Sequence, residues 1–330
     1  MADETKQAAR PRLLYEIARM YYCLDLPQKE IARRTSFSRA HISRLLKQAR
    51  EEGIVEIKLN YFGERSSFGE TVIGEAFGLA NIRVYNCDGI SLEEVHKAIC
   101  CQAAGYVESI LKPRQVIGIT RGSIIAGMIQ EFKGSRRLDL KVVQLMGADA
   151  AGANIGSVPD LIRKMVDLFG GTASYLDAPL YVENDIARNN LIQEAFLSRQ
   201  MKKARSAEII LTSIRPLYKG LKRHIWTGFI GDREIGELLN AGAVGYILAR
   251  AFDRDGRLVD HPVNRRIIGM EPAELREKNV IAVAYDKDYA QAVLGALRGG
   301  YVKTLITDSA CADEVIAIME NDNRGALRLG

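Results

Sequence analysis

Gln28-Lys29-Glu30-Ile31-Ala32-Arg33-Arg34-Thr35-Ser36-Phe37-Ser38-Arg39-Ala40-His41-Ile42-Ser43-Arg44-Leu45-Leu46-Lys47-Gln48-Ala49-Arg50 is the stretch on which the reading of this chain turns. Pro27 suits the first turn of a helix, where its missing N–H costs nothing. Ile31 and Ala32 give that helix a small inner face before Thr35 and Ser36 stop it. Ser38 is a good N-cap for a second helix. There Ile42, Leu45, Leu46 and Ala49 keep the i, i+3, i+4, i+7 spacing until Gly53. Upstream, Leu14, Ile17, Ala18 and Tyr21 have the same spacing and predict a first helix that ends at the Leu26-Pro27 step. Two short helices joined by a tight turn, the second apolar inside and basic outside, are what a helix-turn-helix requires. Ala32 is small where the helices cross, Phe37 plugs the turn, and Ser36 stands where many such motifs have glycine. The outward positions are Ser38, Arg39, Ala40, His41, Ser43 and Arg44. Arg39 and Arg44 are the candidates for base edges, and Gln28, Ser43 and Lys47 for phosphates.

Charge supports the same reading. In this stretch Lys29, Arg33, Arg34, Arg39, Arg44, Lys47 and Arg50 face one carboxylate, Glu30. Residues 1–60 hold 12 Lys or Arg against 8 Asp or Glu, which leaves 34 against 33 for the remaining 270 of the 330 residues. The net charge of +5 is therefore concentrated at the N-terminus, the electrostatic footprint of a nucleic-acid-binding module. The longest run without Asp, Glu, Lys or Arg, Leu238 to Ala249, is 12 residues against the roughly 20 of a membrane-spanning helix. Five cysteines (Cys23, Cys87, Cys100, Cys101, Cys311) contain no CxxC pair and suggest neither zinc nor a disulfide framework, as in a reducing cytoplasm. The four histidines, His41, His96, His224 and His261, are scattered without metal-ligand spacing. Only His41, in the basic helix, is placed for function. No GxGxxG and no GxxxxGK[ST] occurs, so no cofactor is expected.

The segment Gly53 to Leu59 reads as a strand leaving the helical unit, and Asn60 to Ser67 carries turn formers without periodicity. The expected division is a helix-turn-helix domain at 1–60, a linker at 61–67 and a larger domain at 68–330. In the larger domain, strand-like runs at Ile82–Tyr85, Gln115–Thr120, Lys141–Leu145, Glu208–Ser213, Val280–Tyr285 and Thr304–Thr307 are separated by helical stretches. These fall at Glu93–Leu111, Ile124–Phe132, Pro159–Phe169, Asp232–Asn240, Ala290–Leu297 and Asp313–Glu320. Such alternation predicts βαβ crossovers and a mainly parallel, Rossmann-like α/β sheet covered on both faces. Ligands bind such sheets beyond the C-terminal ends of the strands, and the turn after Val116 to Ile119, Thr120-Arg121-Gly122-Ser123, is the first candidate. Asp253 and Asp255 are read as turn formers.

The run Tyr21-Tyr22, Leu26-Pro27-Gln28-Lys29-Glu30-Ile31-Ala32, Ser38-Arg39, Ser43-Arg44-Leu45-Leu46 and Ala49-Arg50-Glu51-Glu52-Gly53-Ile54-Val55 resembles the SorC family of sugar-binding transcriptional regulators. The resemblance continues through Val116 to Gly122, Asn240 to Gly245, Phe252-Asp253-Arg254-Asp255-Gly256 and Ala296-Leu297-Arg298-Gly299-Gly300-Tyr301-Val302 to Asp308. It implies an effector domain related to sugar-phosphate isomerases, a small-molecule effector that changes operator affinity, and a homo-oligomer, a dimer or a tetramer. The function expected is a cytoplasmic, metabolite-responsive regulator bound to operator DNA. The alternative is a sugar-processing isomerase or hydrolase with an accessory DNA-binding domain, because the fold is shared with enzymes.

Against the family pattern, Arg121-Gly122-Ser123-Ile124 stands where a Trp-Gly-Arg-Thr phosphate turn is usual, Tyr246 follows the Gly-Ala-Val-Gly run in place of Asp, and Tyr289 takes the place of a phosphate-binding lysine. The resemblance then implies an effector site of Thr120, Arg121, Gly122, Ser123, Gln144, Tyr246 and Tyr289. A phosphate needs a cation or several donors, whereas two tyrosines offer rings and hydroxyls. The expected ligand is accordingly unphosphorylated, either a free sugar or polyol or a small aromatic compound. Arg121 is the residue that could instead retain an anion such as a carboxylate.

Overall fold

A computed structural model describes residues 2–24, 26–55, 65–148, 157–219 and 225–327. The chain divides into two compact units, Met1–Tyr61 and Phe62–Gly330. The first contains α1 (Ala2–Tyr22), α2 (Gln28–Thr35) and α3 (Arg39–Glu51). Their apolar faces meet in one small core of Leu14, Ile17, Ala18, Ile31, Ile42, Leu45, Leu46 and Ala49, with Ala32 and Phe37 packed at its edge. These are the residues that the spacing of 3.6 places on inner faces. Pro27 precedes α2, and Ser36 ends it in the left-handed region at φ 59°, ψ 16°. An L-residue adopts that conformation at a cost of about 1–2 kcal/mol, the reason glycine is common there. Of the strand expected over Gly53 to Leu59, residues 56–59 lie outside the described residues. Gly53, Ile54 and Val55 are not strand.

The second unit carries helices α4 (Ser67–Phe77), α5 (Leu92–Ile110), α6 (Ser123–Gln130), α7 (Val158–Phe169), α8 (Asp185–Gln193), α9 (Ala195–Arg205), α10 (Asp232–Asn240), α11 (Pro262–Arg265), α12 (Ala290–Arg298) and α13 (Ser309–Leu327). Its strands are β1 (Asn81–Tyr85), β2 (Val116–Ile119), β3 (Leu140–Gln144), β4 (Gly171–Ser174), β5 (Ile209–Ser213), β6 (Arg215–Pro216), β7 (Ala243–Ile247), β8 (Arg250–Asp253), β9 (Asn279–Val283) and β10 (Thr304–Asp308). Seven of them form a parallel sheet in the order β1-β10-β9-β5-β2-β3-β4, and β6-β7-β8 form a small antiparallel sheet. All six expected strands belong to the large sheet. The linker expected at 61–67 falls partly outside the described residues. Its described end is ordered: Arg65 pairs with Tyr85 across an antiparallel bridge, and Ser67 begins α4.

Alternate strand residues feed two cores. Ile117, Ile119, Val142 and Leu211 face the layer of α5, α6 and α7, while Val143, Ile210, Val280 and Ala282 face the layer of α12, α13 and the small sheet. Burial on both faces explains why β5 is buried along its whole length and shows no polar alternation. Strand order reverses between β2 and β5: the chain moves from β2 to β3 and β4 on one side, then returns to build β5 on the other. That is the topological switch point where open α/β sheets leave a crevice. At the start of β8, the fully buried Arg250 donates to the Met270 and Ile267 carbonyls and to Glu271 at 2.8 Å. Burial pulls its guanidinium down to about 10, and these acceptors hold the 267–271 segment against Met146 through the Gly269 bridge.

Candidate functional site

In the helical unit the Ser38 hydroxyl caps α3 by accepting the His41 N–H at 3.2 Å. Ser38, Arg39, Ser43, Arg44 and Lys47 are exposed on α3 and its cap, and Gln28 is half-buried at the first position of α2. His41 leans on Phe37, ring centroids 4.9 Å apart, so it closes the turn as well as facing outward. The basic residues are not equivalent. Arg33 and Arg34 both engage Glu30, at 3.1 and 3.2 Å, and hold its carboxyl below the usual range. Lys47 lies 3.6 Å from Glu51. Arg39 and Arg44 form no ion pair among the described residues, which leaves their planar donor forks available to a ligand.

In the larger unit a cavity of about 420 Å³ opens beyond the C-terminal ends of β2 and β3. Thr120, Arg121 and Gln144 come to its wall from the strand ends, and Ser157, Asp160 and Arg163 from the start of α7; the rest of the wall is mainly apolar, including Ile119, Val158, Leu180 and Ile225. Thr120 is anchored to β5 through the Leu211 carbonyl and the Thr212 hydroxyl, and Gln144 donates to the Met146 carbonyl at 2.6 Å. Ser157 caps α7, and its hydroxyl donates to Asp160 at 2.6 Å, while Arg163 stands 3.5 Å from the same carboxylate. Burial lowers the pKa of Arg121, opposed by the nearby Tyr246. Donors and acceptors therefore line one concave, largely apolar space, within the roughly 300–1,000 Å³ typical of small-molecule sites.

Of the residues expected there, Thr120, Arg121 and Gln144 are brought together. Gly122 and Ser123 form the turn into α6 but are not on the cavity wall, and Ile124 is buried in the core. Tyr246 and Tyr289 are not on the wall either. Both lie beside Arg215, which donates to Tyr289 Oη at 2.7 Å and is the cross-strand partner of Tyr246. Burial opposes the Arg215 charge, but the Tyr289 and Tyr246 hydroxyls hold its pKa above the ordinary value, while burial pushes Tyr289 up to about 12. Tyr285 stacks on Tyr289 and its hydroxyl lies 3.2 Å from His96 Nδ1. Arg215, Ser157, Asp160 and Arg163 carried no signal in the sequence reading. Only the Asp160 and Arg163 positions, at i and i+3 on α7, form a pattern that could have been noticed. His261 caps α11 by accepting the Val263 N–H, and His224 lies outside the described residues. Among the described residues no cluster of three or more His, Cys, Asp or Glu could hold a metal ion, and no helix is long and apolar enough to cross a membrane.

The family model described as "Putative sugar-binding domain" matches residues 64–317. The sorbitol operon regulator of Klebsiella pneumoniae is 29% identical over 311 residues, covering 92% of this chain and 96% of that protein. Its full-length crystal structure, of SorC, superposes with a TM-score of 0.72 over 92% of this chain and 97% of the other, at 28% identity. This chain belongs to the SorC family of sugar-binding transcriptional regulators. The deoxyribonucleoside regulator of Bacillus subtilis is 26% identical over 316 residues, 95% of this chain and 99% of that protein. The crystallised sugar-binding domain of a Vibrio fischeri transcriptional repressor matches with a TM-score of 0.70 at 26% identity, over 77% of this chain and 100% of that chain. The chain is thus a metabolite-responsive transcriptional regulator.

The SorC-like motifs now acquire physical reasons. In Phe252-Asp253-Arg254-Asp255-Gly256 the Asp253 carboxylate accepts the N–H groups of Asp255 and Arg257 at 2.9 and 2.8 Å, so it builds the turn after β8. That turn lies directly on the end of α12, and the Tyr301 hydroxyl donates to the Gly256 carbonyl at 2.6 Å. The two motif stretches form one contact.

Proposed function

We propose that this SorC-family regulator contacts operator DNA through Gln28, Ser38, Arg39, His41, Ser43, Arg44 and Lys47, and that a neutral polyhydroxylated compound, a free sugar or polyol, occupies the cavity beyond β2 and β3 as its effector. The observation that carries the ligand class is the mixed wall of Thr120, Arg121, Gln144, Ser157, Asp160 and Arg163. Carboxylate, amide and guanidinium groups form paired hydrogen bonds with adjacent hydroxyls, whereas a phosphate would meet the Asp160 carboxylate. The aromatic alternative rests on Tyr246 and Tyr289, and it loses that support because neither is on the cavity wall and the Tyr289 hydroxyl is held by Arg215. Calorimetry of the full chain against sorbitol, a hexose, their phosphates, a deoxyribonucleoside and an aromatic acid tests this. A neutral polyol or sugar is expected to bind, and Asp160→Asn to weaken it about tenfold, the loss of one charge-assisted hydrogen bond. Tight binding confined to a sugar phosphate and abolished by Arg121→Ala would overturn the reading.

The relatives are named as regulators, and we read this chain too as a regulator without turnover. On the described cavity wall the Ser157 hydroxyl and the Asp160 carboxylate are joined in the N-cap of α7, and no His, Lys or Cys stands with them to serve as a further acid, base or nucleophile. It acts in the cytoplasm, where the DNA is. One helix-turn-helix covers a half-site, so the working species is at least a dimer, and family resemblance points to a tetramer. Sedimentation at micromolar concentration is expected to give a mass at least twice that of the 36.6 kDa chain. A monomer with full operator binding would exclude the dimer.

A further inference from the structure

Trp226, the one tryptophan of the chain, is fully buried, and its indole N–H donates to the Ala249 carbonyl at 2.9 Å. Its ring packs on Tyr246, centroids 4.7 Å apart. Tyr246 is the partner of Arg215 across β6 and β7, and Ile225, the residue before Trp226, is a wall residue of the cavity, so the Trp226–Tyr246 contact ties that wall to the Arg215 pair. On its other side Arg215 donates to Tyr289 at 2.7 Å and lies 5.5 Å over that ring, which Tyr285 backs by stacking.

Arg215 forms no ion pair with a carboxylate among the described residues, and it is not on the cavity wall. Among the described residues, the polar side chains around it are the phenols of Tyr289, Tyr246 and Tyr285. A guanidinium presents several donors in a rigid plane, so it can bridge two hydroxyls and hold their rings at a set separation. A buried phenol that loses such a partner is left short of a hydrogen bond, and the segment it pins is released.

We propose that Arg215 is a positioning residue for the effector site: through Tyr246 it fixes the Ile225 wall of the cavity and so sets how tightly the site holds its ligand. This rests on the reading of the cavity as the effector site. Because Trp226 is unique and sits on Tyr246, it reports the strut without any ligand.

The test uses the full chain with Arg215→Met, Arg215→Lys and Tyr246→Phe, measuring acrylamide quenching of Trp226, far-UV circular dichroism and sorbitol affinity. In Arg215→Met the quenching constant is expected to rise about twofold or more with secondary structure retained, as local opening requires. Sorbitol binding is expected to weaken about tenfold, with Arg215→Lys intermediate. Tyr246→Phe removes only the hydroxyl beside Arg215 and is expected to raise quenching in the same way, which keeps the test decisive should Arg215→Met not fold. Quenching unchanged in the folded variants overturns the proposal. Failure of sorbitol to bind the unmodified chain would count against the effector reading alone, since the quenching comparison stands without it.

Discussion

Alanine at Arg39 or at Arg44 is expected to weaken specific operator binding by about 1–3 kcal/mol each, roughly 5- to 150-fold, and to relax base preference at the position each one reads. Both are exposed on the first turns of α3 and have no ion pair among the described residues, so neither must break a contact to reach DNA. Lys47 provides the contrast. It lies one turn further along α3, so Lys47→Ala is expected to weaken all duplexes similarly and to lower the salt slope by about one. Arg33→Ala is expected to change less, because Arg34 still holds the shared Glu30. Fluorescence anisotropy with operator and scrambled duplexes over a range of salt separates these classes. Unchanged operator affinity in both arginine variants would show that α3 is not the recognition helix.

Gly256→Ala is expected to be strongly destabilising in the effector unit. Gly256 has φ 76°, and a Cβ there would lie 2.2 Å from the Gly299 N and 2.3 Å from the Gly295 O, both backbone atoms that cannot swing away. Left-handed backbone and overpacking together cost about 2–5 kcal/mol. Gly242 separates the two causes. Its φ is 90° with nothing within 4 Å of the added atom, so Gly242→Ala is expected to lose only about 1 kcal/mol. Thermal unfolding of both variants beside the unmodified chain measures the difference. Equal losses would mean that the Gly256 contact contributes nothing beyond its backbone conformation.

The helix-turn-helix and the six principal strands were legible because their signals are local. Leu14 to Tyr21 and Ile42 to Ala49 repeat at helical spacing within single turns, and the seven cations from Lys29 to Arg50 need no fold to be counted. The strand β4, Gly-Thr-Ala-Ser, has no apolar repeat, the two-residue β6 is too short to show one, and α8 buries no side chain, so nothing in these segments marks them before β3 pairs with β4, β7 pairs with β6 and α9 packs on α8. The site divides in the same way. Thr120 and Arg121 follow an apolar strand, and chain connectivity alone places them at a strand's C-terminal end. Which groups face them does not follow from connectivity. Arg215 meets Tyr289 74 residues along the chain, and Asp160 reaches the cavity only because α7 packs beside β3. Tyr246 and Tyr289 stand out in the sequence, but where their side chains lie is set by packing of the small sheet against α12, a non-local event that places both beside the Arg215 guanidinium.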